Sequence, residues 1–598
     1  MSQKKQQDIL SVNTALKTIP LGIVYAFSES LVFIIDTILA GHFLKEEAVA
    51  AITIALPVLV IMGSFTLMII QGGYLKMLER MGKSDMDGYD RVYSLMIFLS
   101  IVVDLIFMGI CFFVPDAVIS LTGGANATAE VCALSRLYLR TSCLMLFFYI
   151  IGTAFQLVIL TNGYLPYLLL GIGTNIGVNL VISVLAMAVL PEQYKIAGLG
   201  IGSAAGSIAM TFVCFMIIKL RRFRVHFRIY PPTKENVLDA LDCIRMGVPS
   251  SIDLILDNVS FSIVNNIILF TFANGTNVLA MVAIIYTIFS FVKNVGSGCL
   301  YASQPLFGIM NGERDPQGIQ NVFTMTLKRG ILLGLIFSAA IIILQQPILS
   351  FYGMAENTDA RIGLVLVALS ACIWVIPYLL LAVYQSTGHI LLALVVAVIP
   401  DSILYPLFVA MSGKTIGVTG IWLAMGFSFI PFFIIFYLVF MLLNKKPLVS
   451  LDRLLLLKRY ENRDTVLNIS IPAEAQDICF VSERLQKFLI DHFVPEKIAY
   501  ISALCTEEIA ADYISYRKSS GLSKEKVYMD IKAFSDPEKI EIMLKNYDRP
   551  YNPLIIEEKG NEEERFSKIG VVMAQKIANK ILYNYSYHLN VITMTFML

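Results

Sequence analysis

Charge is scarce in this sequence. Only 15% of its 598 residues are Asp, Glu, Lys or Arg, against 57% hydrophobic, and the mean hydropathy is +0.71. A chain so poor in charge cannot be a string of water-soluble domains, and most of it is expected in lipid. The net charge of +1 averages regions that live in different solvents and says nothing about partners. Nothing in the sequence supports nucleic-acid binding. The nine cysteines form no Cys-x-x-Cys pair and lie mostly in apolar runs, which points to packing rather than to disulfides or a metal site. A cleavable signal is also missing. Met1 to Lys17 is polar and the first apolar run, Ile19 to Phe43, has no small-residue cleavage site, so the first helix is expected to stay in the mature protein.

What charge there is gathers at one end. Residues 446 to 598 hold 43 of the 91 charged side chains, which predicts a membrane domain over 1–445, a linker at 446–463 and a soluble domain over 464–598. A spanning helix needs about 20 mainly apolar residues. Such runs occur near 16–43, 48–76, 92–114, 134–160, 164–190, 197–219, 248–271, 277–308, 324–349, 362–385, 390–412 and 416–443, six in each of two lobes at about 12–220 and 245–443. Lys and Arg collect on one side, at Lys4, Lys5, Lys17, Lys76, Arg80, Lys83, Arg91, Lys219 to Arg228, Arg314, Lys328, Arg329, Lys445 and Lys446. By the positive-inside rule both termini and the soluble domain face the cytoplasm. The stretch from Arg221 to Cys243, basic and with Pro231-Pro232, reads as the connector between lobes.

The two lobes repeat each other at an offset of 230 residues. Ala50, Gly82 and Asp85 return as Ala280, Gly312 and Asp315; Ile38-Leu39 returns as Ile268-Leu269. Two like halves of a membrane protein imply a substrate site between them that opens to each side in turn.

An ionisable side chain at membrane depth costs about 3 kcal/mol by insertion scales, so each one needs a reason. Asp36 lies late in the first helix, with Glu29 seven residues earlier on the same face. A carboxylate in a low-dielectric cavity can exchange a proton or bind sodium as its surroundings change. Asn175 and Asn179 project from one face of the fifth run as neutral oxygen donors, or as interhelical glue. Asp253 and Asp257 form a second i, i+4 pair, favouring a shared proton or a bound cation. Asp104 reads as an interface residue or structural pair, and Asp401 falls near the repeat counterpart of Asn175. Acids and amides, not cations, are thus expected at mid-membrane.

Ile35 to His42 with Ala48 to Ala51 resembles the Val-Asp-x-x-Phe-Val-Gly and Ala-Leu-Ala-Ala stretches of the multidrug and toxic compound extrusion (MATE) family. Gly82 to Asp85, Gln304-Pro305 with Gly308, and Gly312 to Asp315 resemble its paired loops. The resemblance covers about residues 12 to 443. It implies a twelve-helix, two-lobed, all-α antiporter, not an enzyme, with no catalytic or metal residues and no cofactor beyond proton or sodium as coupling ion. Asp36, Asn175 and Asn179 match the family's N-lobe cation site, although Asn179 stands where several relatives carry a second acid. Asp257 matches a C-lobe acid of another branch, whose further acid is missing because Ala382 precedes Gln385.

The charged C-terminal part alternates amphipathic strands and helices: Val466 to Ile471, helices at Asp477 to Phe493 and Lys497 to Tyr516, strands at Val527 to Ala533 and Ile540 to Asn546, a helix from Lys568 to Leu582 and a strand from Asn590 to Met597. An α+β sandwich is the expected fold. Leu504 to Asp512, Asn546 to Pro553 and Ile569 to Val571 resemble the boxes of the anti-sigma-factor serine kinase and histidine-kinase ATPase fold. The resemblance implies a nucleotide site at Glu508, Asp512, Asn546 and Gly570. Asp512 replaces its magnesium-binding Asn, Asn546 its adenine-reading Asp, and Asp548 and Lys568 two glycines where backbone must approach the nucleotide. These departures predict a degenerate regulatory or docking domain, with weak ATP binding at most and a cytosolic protein as partner.

Together with the membrane spans, the MATE resemblance implies a multi-pass cell-membrane exporter of amphiphilic or cationic small molecules. Two rivals stand beside it. One is a flippase for lipid-linked precursors, which an Arg-lined cavity would favour; the other is a membrane-tethered sensor, which an intact nucleotide site would favour.

Overall fold

In the computed structural model the described residues are 9–44, 46–122, 127–223, 225–272, 274–444, 450–457, 466–473, 475–521, 527–555, 568–586 and 589–598. The chain divides into two compact units, one made of Ala15–Leu160 with Tyr164–Leu456, the other built on Leu457–Leu598.

The larger unit is helical. Its first half holds α1 (Ile9–Phe43), α2 (Glu46–Gly82), α3 (Met86–Phe113), the short α4 (Pro115–Leu121), α5 (Ala129–Thr161), α6 (Leu165–Val189) and α7 (Lys195–Leu220). The second holds α8 (Lys234–Thr271), α9 (Gly275–Gly312), α10 (Pro316–Ile343), the short α11 (Gln345–Phe351), α12 (Thr358–Leu369), α13 (Val375–Ser386), α14 (Ile390–Val398), α15 (Tyr405–Thr415), α16 (Val418–Phe427) and α17 (Phe429–Asn444). A 3₁₀ turn joins α12 to α13 and a π turn, Ile399–Leu404, joins α14 to α15, so each pair makes one span. Among the described residues ten helices are long and apolar enough to cross a membrane. The pair α16 and α17, bent by 46°, makes an eleventh if counted as one span, and the apolar part of α1 is shorter, Thr18–Val32.

The repeat is visible in the backbone. Ser84 and Arg314 both take the left-handed conformation, at φ 55° and 53°, just before Asp85 and Asp315. Each Asp then caps the following helix, accepting from the backbone N–H of Gly88 or Gly318 at 3.0 Å. The halves meet where side chains are absent: a Cβ on Gly72 would overlap the Cys243 carbonyl, one on Gly247 that of Met68, and one on Gly22 that of Gly298. A polar contact crosses the same seam, Gln71 donating to Gln304 at 3.0 Å, and it continues within the second half from Gln304 to Gln385 at 3.3 Å and from Gln385 to Ser250 at 2.8 Å.

The expected connector is shorter than its sequence suggests. After Pro231-Pro232, Thr233 caps α8 and the helix already runs from Lys234, so the stretch up to Cys243 is helical. Its acids explain why: Asp239 accepts from both Arg80 and Arg91 at 2.9 Å, Asp242 from Lys76 at 2.9 Å, and Glu235 from Arg91 at 2.6 Å. The expected linker at 446–463 also differs. Within it α18 (Leu451–Leu454) forms a helical turn of the larger unit, Tyr384 donates to the Leu454 carbonyl at 2.7 Å and Leu455 is buried.

The smaller unit contains one five-stranded antiparallel sheet, in the order β1-β2-β3-β5-β4, from β1 (Val466–Pro472), β2 (Tyr528–Ser535), β3 (Lys539–Tyr547), β4 (Lys580–Ser586) and β5 (Leu589–Met597). Helices α19 (Ala475–Asp491), α20 (Glu496–Ser519) and α21 (Ile569–Ile577) share a core with it, Leu485, Leu489, Ile509 and Ala574 packing with Ile531, Ile542 and Met594. The helix expected from Lys568 to Leu582 therefore ends at Ile577, and the chain enters strand β4 at Lys580. The alternation of β4, with Ile581 and Tyr583 against the core, outweighs the helical propensity of the run.

Candidate functional site

In the first half the site is built on close approach of α6 and α7. A Cβ on Gly202 would collide with Ser183, and one on Gly206 would come 2.7 Å from the Asn175 carbonyl, so only glycine lets the helices touch there. Ser203, between these glycines, thereby reaches Asp36, its hydroxyl 2.9 Å from both carboxylate oxygens. Tyr138 on α5 donates to Asp36 at 3.1 Å. Asn179 donates to Ser203 at 3.1 Å and accepts from Ser183 at 2.9 Å, which joins it to Asp36 through one hydroxyl. Asp36 is 8% exposed, and its hydrogen bonds come from neutral groups. Such a carboxylate can be neutralised by a proton or a monovalent cation without breaking an ion pair. Asn175 is buried a turn earlier on α6; its amide nitrogen lies 3.6 Å from the Met210 sulfur and its carbonyl oxygen has no hydrogen-bond partner among the described residues.

Glu29 is not part of this network. It accepts from Tyr25 at 3.1 Å and from Tyr301, on α9 of the second half, at 2.7 Å. Asn294 of α9 likewise donates to Ser30 at 2.8 Å. Asp104 accepts from Thr66 at 2.7 Å, away from this network.

The second half holds a group that reading the sequence missed. Lys293, 9% exposed on α9, sits with its ammonium 3.5 Å from Asp257 on α8 and 3.4 Å from Asp401 in the π turn. Tyr286 donates to Asp257 at 3.1 Å, and Ser260 donates to the Asp401 backbone carbonyl at 2.8 Å, holding the turn. Asp253, half-buried one turn before Asp257, lies within electrostatic reach of both acids and of Lys293. The ammonium also rests over Phe289 and Trp374, 5.2 and 5.9 Å from the ring centres. The expectation of acids and amides alone at mid-membrane is thus corrected. The signal was a lysine in the middle of the 277–308 apolar run. No group of three or more His, Cys, Asp or Glu arranged for a metal occurs among the described residues.

In the smaller unit the four residues singled out are engaged with other groups of the same unit. The Glu508 carboxylate occupies the space where a Cβ on Gly570 would stand. Asp512 accepts from Tyr551 at 2.6 Å, and Tyr551 stacks on Tyr516 with ring centres 3.8 Å apart. Burial pushes the Asp512 carboxyl above the usual carboxylate range, partly offset by the Tyr551 hydroxyl. Asn546 accepts from Asn590 at 2.9 Å, while Asp548 accepts from Tyr513 at 2.8 Å and Arg517 at 2.9 Å. Lys568 donates to the Ile555 carbonyl at 3.1 Å.

No curated protein matches the sequence. Solved structures do. A MATE crystal structure in complex with MaL6 has a TM-score of 0.66 and 16% identity, over 77% of this chain and 100% of that one. An outward-facing multidrug resistance MATE family transporter of the MOP superfamily gives 0.65 and 16%, over 77% and 99%. A MOP superfamily transporter from Pyrococcus furiosus, described by the reverse polarity of its binding pocket, gives 0.62 and 17%, over 73% and 97%. The MatE family model matches residues 20–185 and 249–408, one segment in each half. The chain belongs to the MatE family and is a multi-pass membrane transporter of that fold.

Proposed function

We propose that this MATE-family transporter is a secondary antiporter that exports amphiphilic or cationic small molecules by alternating access, driven by proton or sodium entry. The observation that carries this reading is the environment of Asp36, buried and hydrogen-bonded by the neutral hydroxyls of Tyr138 and Ser203. A carboxylate held this way is a simple exchanger. Charged, it attracts a proton or sodium; neutralised, it permits the rearrangement that carries the site across. Asn179 tunes it through Ser203, and Asn175 supplies a further oxygen on the same helical face. Twelve spans in two lobes complete the scheme, α1 and the bent α16–α17 pair being the first and last. Both termini lie in the cytoplasm, as the Lys and Arg distribution requires. The C-terminal unit is a degenerate, kinase-like regulatory domain that docks a cytosolic protein rather than turning over ATP.

A lipid-precursor flippase is less well supported. The buried cation such a role would use, Lys293, is neutralised by Asp257 and Asp401. Purified protein in vesicles with imposed proton or sodium gradients, tested on a panel of organic cations, decides the matter. Gradient-dependent cation flux is expected; flux of lipid-linked anions only, indifferent to both gradients, would overturn the proposal.

A further inference from the structure

We infer that the second half carries its own cation: the ammonium of Lys293 fills the position between Asp257 and Asp401 that an exchangeable monovalent cation would otherwise take, so this half exchanges no ion with solution.

Several observations converge on this position. The ammonium lies at nearly equal distances from two carboxylates on different elements, 3.5 and 3.4 Å. Those distances exceed the 2.7 to 2.9 Å of a directed charge-assisted hydrogen bond, so it acts as a point charge shared by both acids, as a bound alkali ion would. Two rings add to the site, Phe289 and Trp374 lying beneath the ammonium. The Tyr405 hydroxyl lies within electrostatic reach of Asp257, Asp401 and Lys293, in a residue only 4% exposed, and has no hydrogen-bond partner among the described residues. Carboxylate and hydroxyl oxygens are the ligands that hard monovalent and divalent cations prefer. A side chain that cannot leave keeps this site permanently occupied.

The two halves therefore differ in kind. Asp36 meets neutral donors and can be vacated; Asp257 and Asp401 meet a tethered cation and cannot. The consequence for coupling rests on the proposed role of Asp36, but thermal melting in different salts reads ion binding and not transport, so the two ideas fail separately.

Full-length Lys293→Met, purified in detergent, is compared with the native chain by thermal melting in sodium chloride, methylammonium chloride and choline chloride at equal ionic strength. A ligand that binds only the folded state raises the melting temperature with its concentration. Lys293→Met is expected to show a saturable rise of several degrees in sodium or methylammonium over choline, beyond any rise in the native chain, and adding Asp401→Asn should abolish it. Equal melting in all three salts, or a gain that survives Asp401→Asn, overturns the inference. Should Lys293→Met prove impossible to purify, Lys293→Gln takes its place, and the same absence of a cation-specific rise overturns the inference equally.

Discussion

Gly82 and Gly312, 230 positions apart, meet so closely that a Cβ on either would stand within about 3 Å of the other's Cα. The contact is reciprocal. A Cβ on Gly82 would overlap the Ile309 carbonyl, and one on Gly312 the Glu79 carbonyl, and Glu79 and Ile309 are themselves 230 apart. The repeat in the sequence is therefore a near two-fold contact between α2 and α9. Gly82→Ala and Gly312→Ala should each destabilise the protein by about 1 to 3 kcal/mol, since backbone must move to admit the methyl. Gly177→Ala, with nothing within 4 Å of its Cβ, should not. Melting of the three variants in detergent checks this. Unequal effects at Gly82 and Gly312 would argue against the symmetric contact.

Asp239 is 4% exposed and joins Arg80 of α2 and Arg91 of α3 to the start of α8. Removing one member of a buried ionic cluster leaves the others uncompensated, at a cost of about 3 kcal/mol. Asp239→Ala should lower the melting temperature well beyond Asp242→Ala, because Asp242 is more exposed and binds Lys76 alone. Equal effects would show the cluster to be only a solvated face.

Asp512 gives a pH signature. Its carboxyl is raised by burial, so between the unfolded and folded values the native state binds more protons, and stability contributed by this group falls as pH rises through that window. Asp512→Asn keeps an acceptor for Tyr551 and removes the desolvated charge. The variant should gain stability over the native chain at neutral pH and lose that advantage below the ordinary Asp range. Melting curves across pH test it; a variant less stable at neutral pH would contradict the account.

The same unit should bind Mg-ATP weakly or undetectably. Tyr551 is stacked on Tyr516, Asn546 is held by Asn590, and the Glu508 carboxylate fills the space beside Gly570, so these side chains already have partners within the unit. Calorimetry on the full chain is the check. Micromolar affinity would show that these contacts open.

Ten of the expected spans were legible because lipid imposes length and apolarity, and the repeat because glycines and capping acids recur where backbones touch. Asp36 and Asn179 were legible as polar groups at membrane depth, though not Ser203 and Tyr138, whose hydroxyls are too common in helices to signal a site. Lys293 was passed over because the sum of acids around it concealed one cation in a long apolar run. The start of α8 was hidden because its stabilising partners, Arg80 and Arg91, lie about 150 residues away. Strand β4 was hidden because Lys580 to Ser586 comes after a helix without a Gly or Pro between them.

The most direct test is Asp36→Asn, reconstituted beside Asp257→Asn and assayed for flux of an organic cation that the native chain carries, under imposed proton and sodium gradients. The amide keeps the shape and the hydrogen bonds from Tyr138 and Ser203 in part, but cannot change charge. Asp36→Asn should fold, bind the cation and lose gradient-driven export, whereas Asp257→Asn, beside a fixed ammonium, should retain most of it. Normal export by Asp36→Asn together with failure of Asp257→Asn would place coupling in the second half and contradict the account.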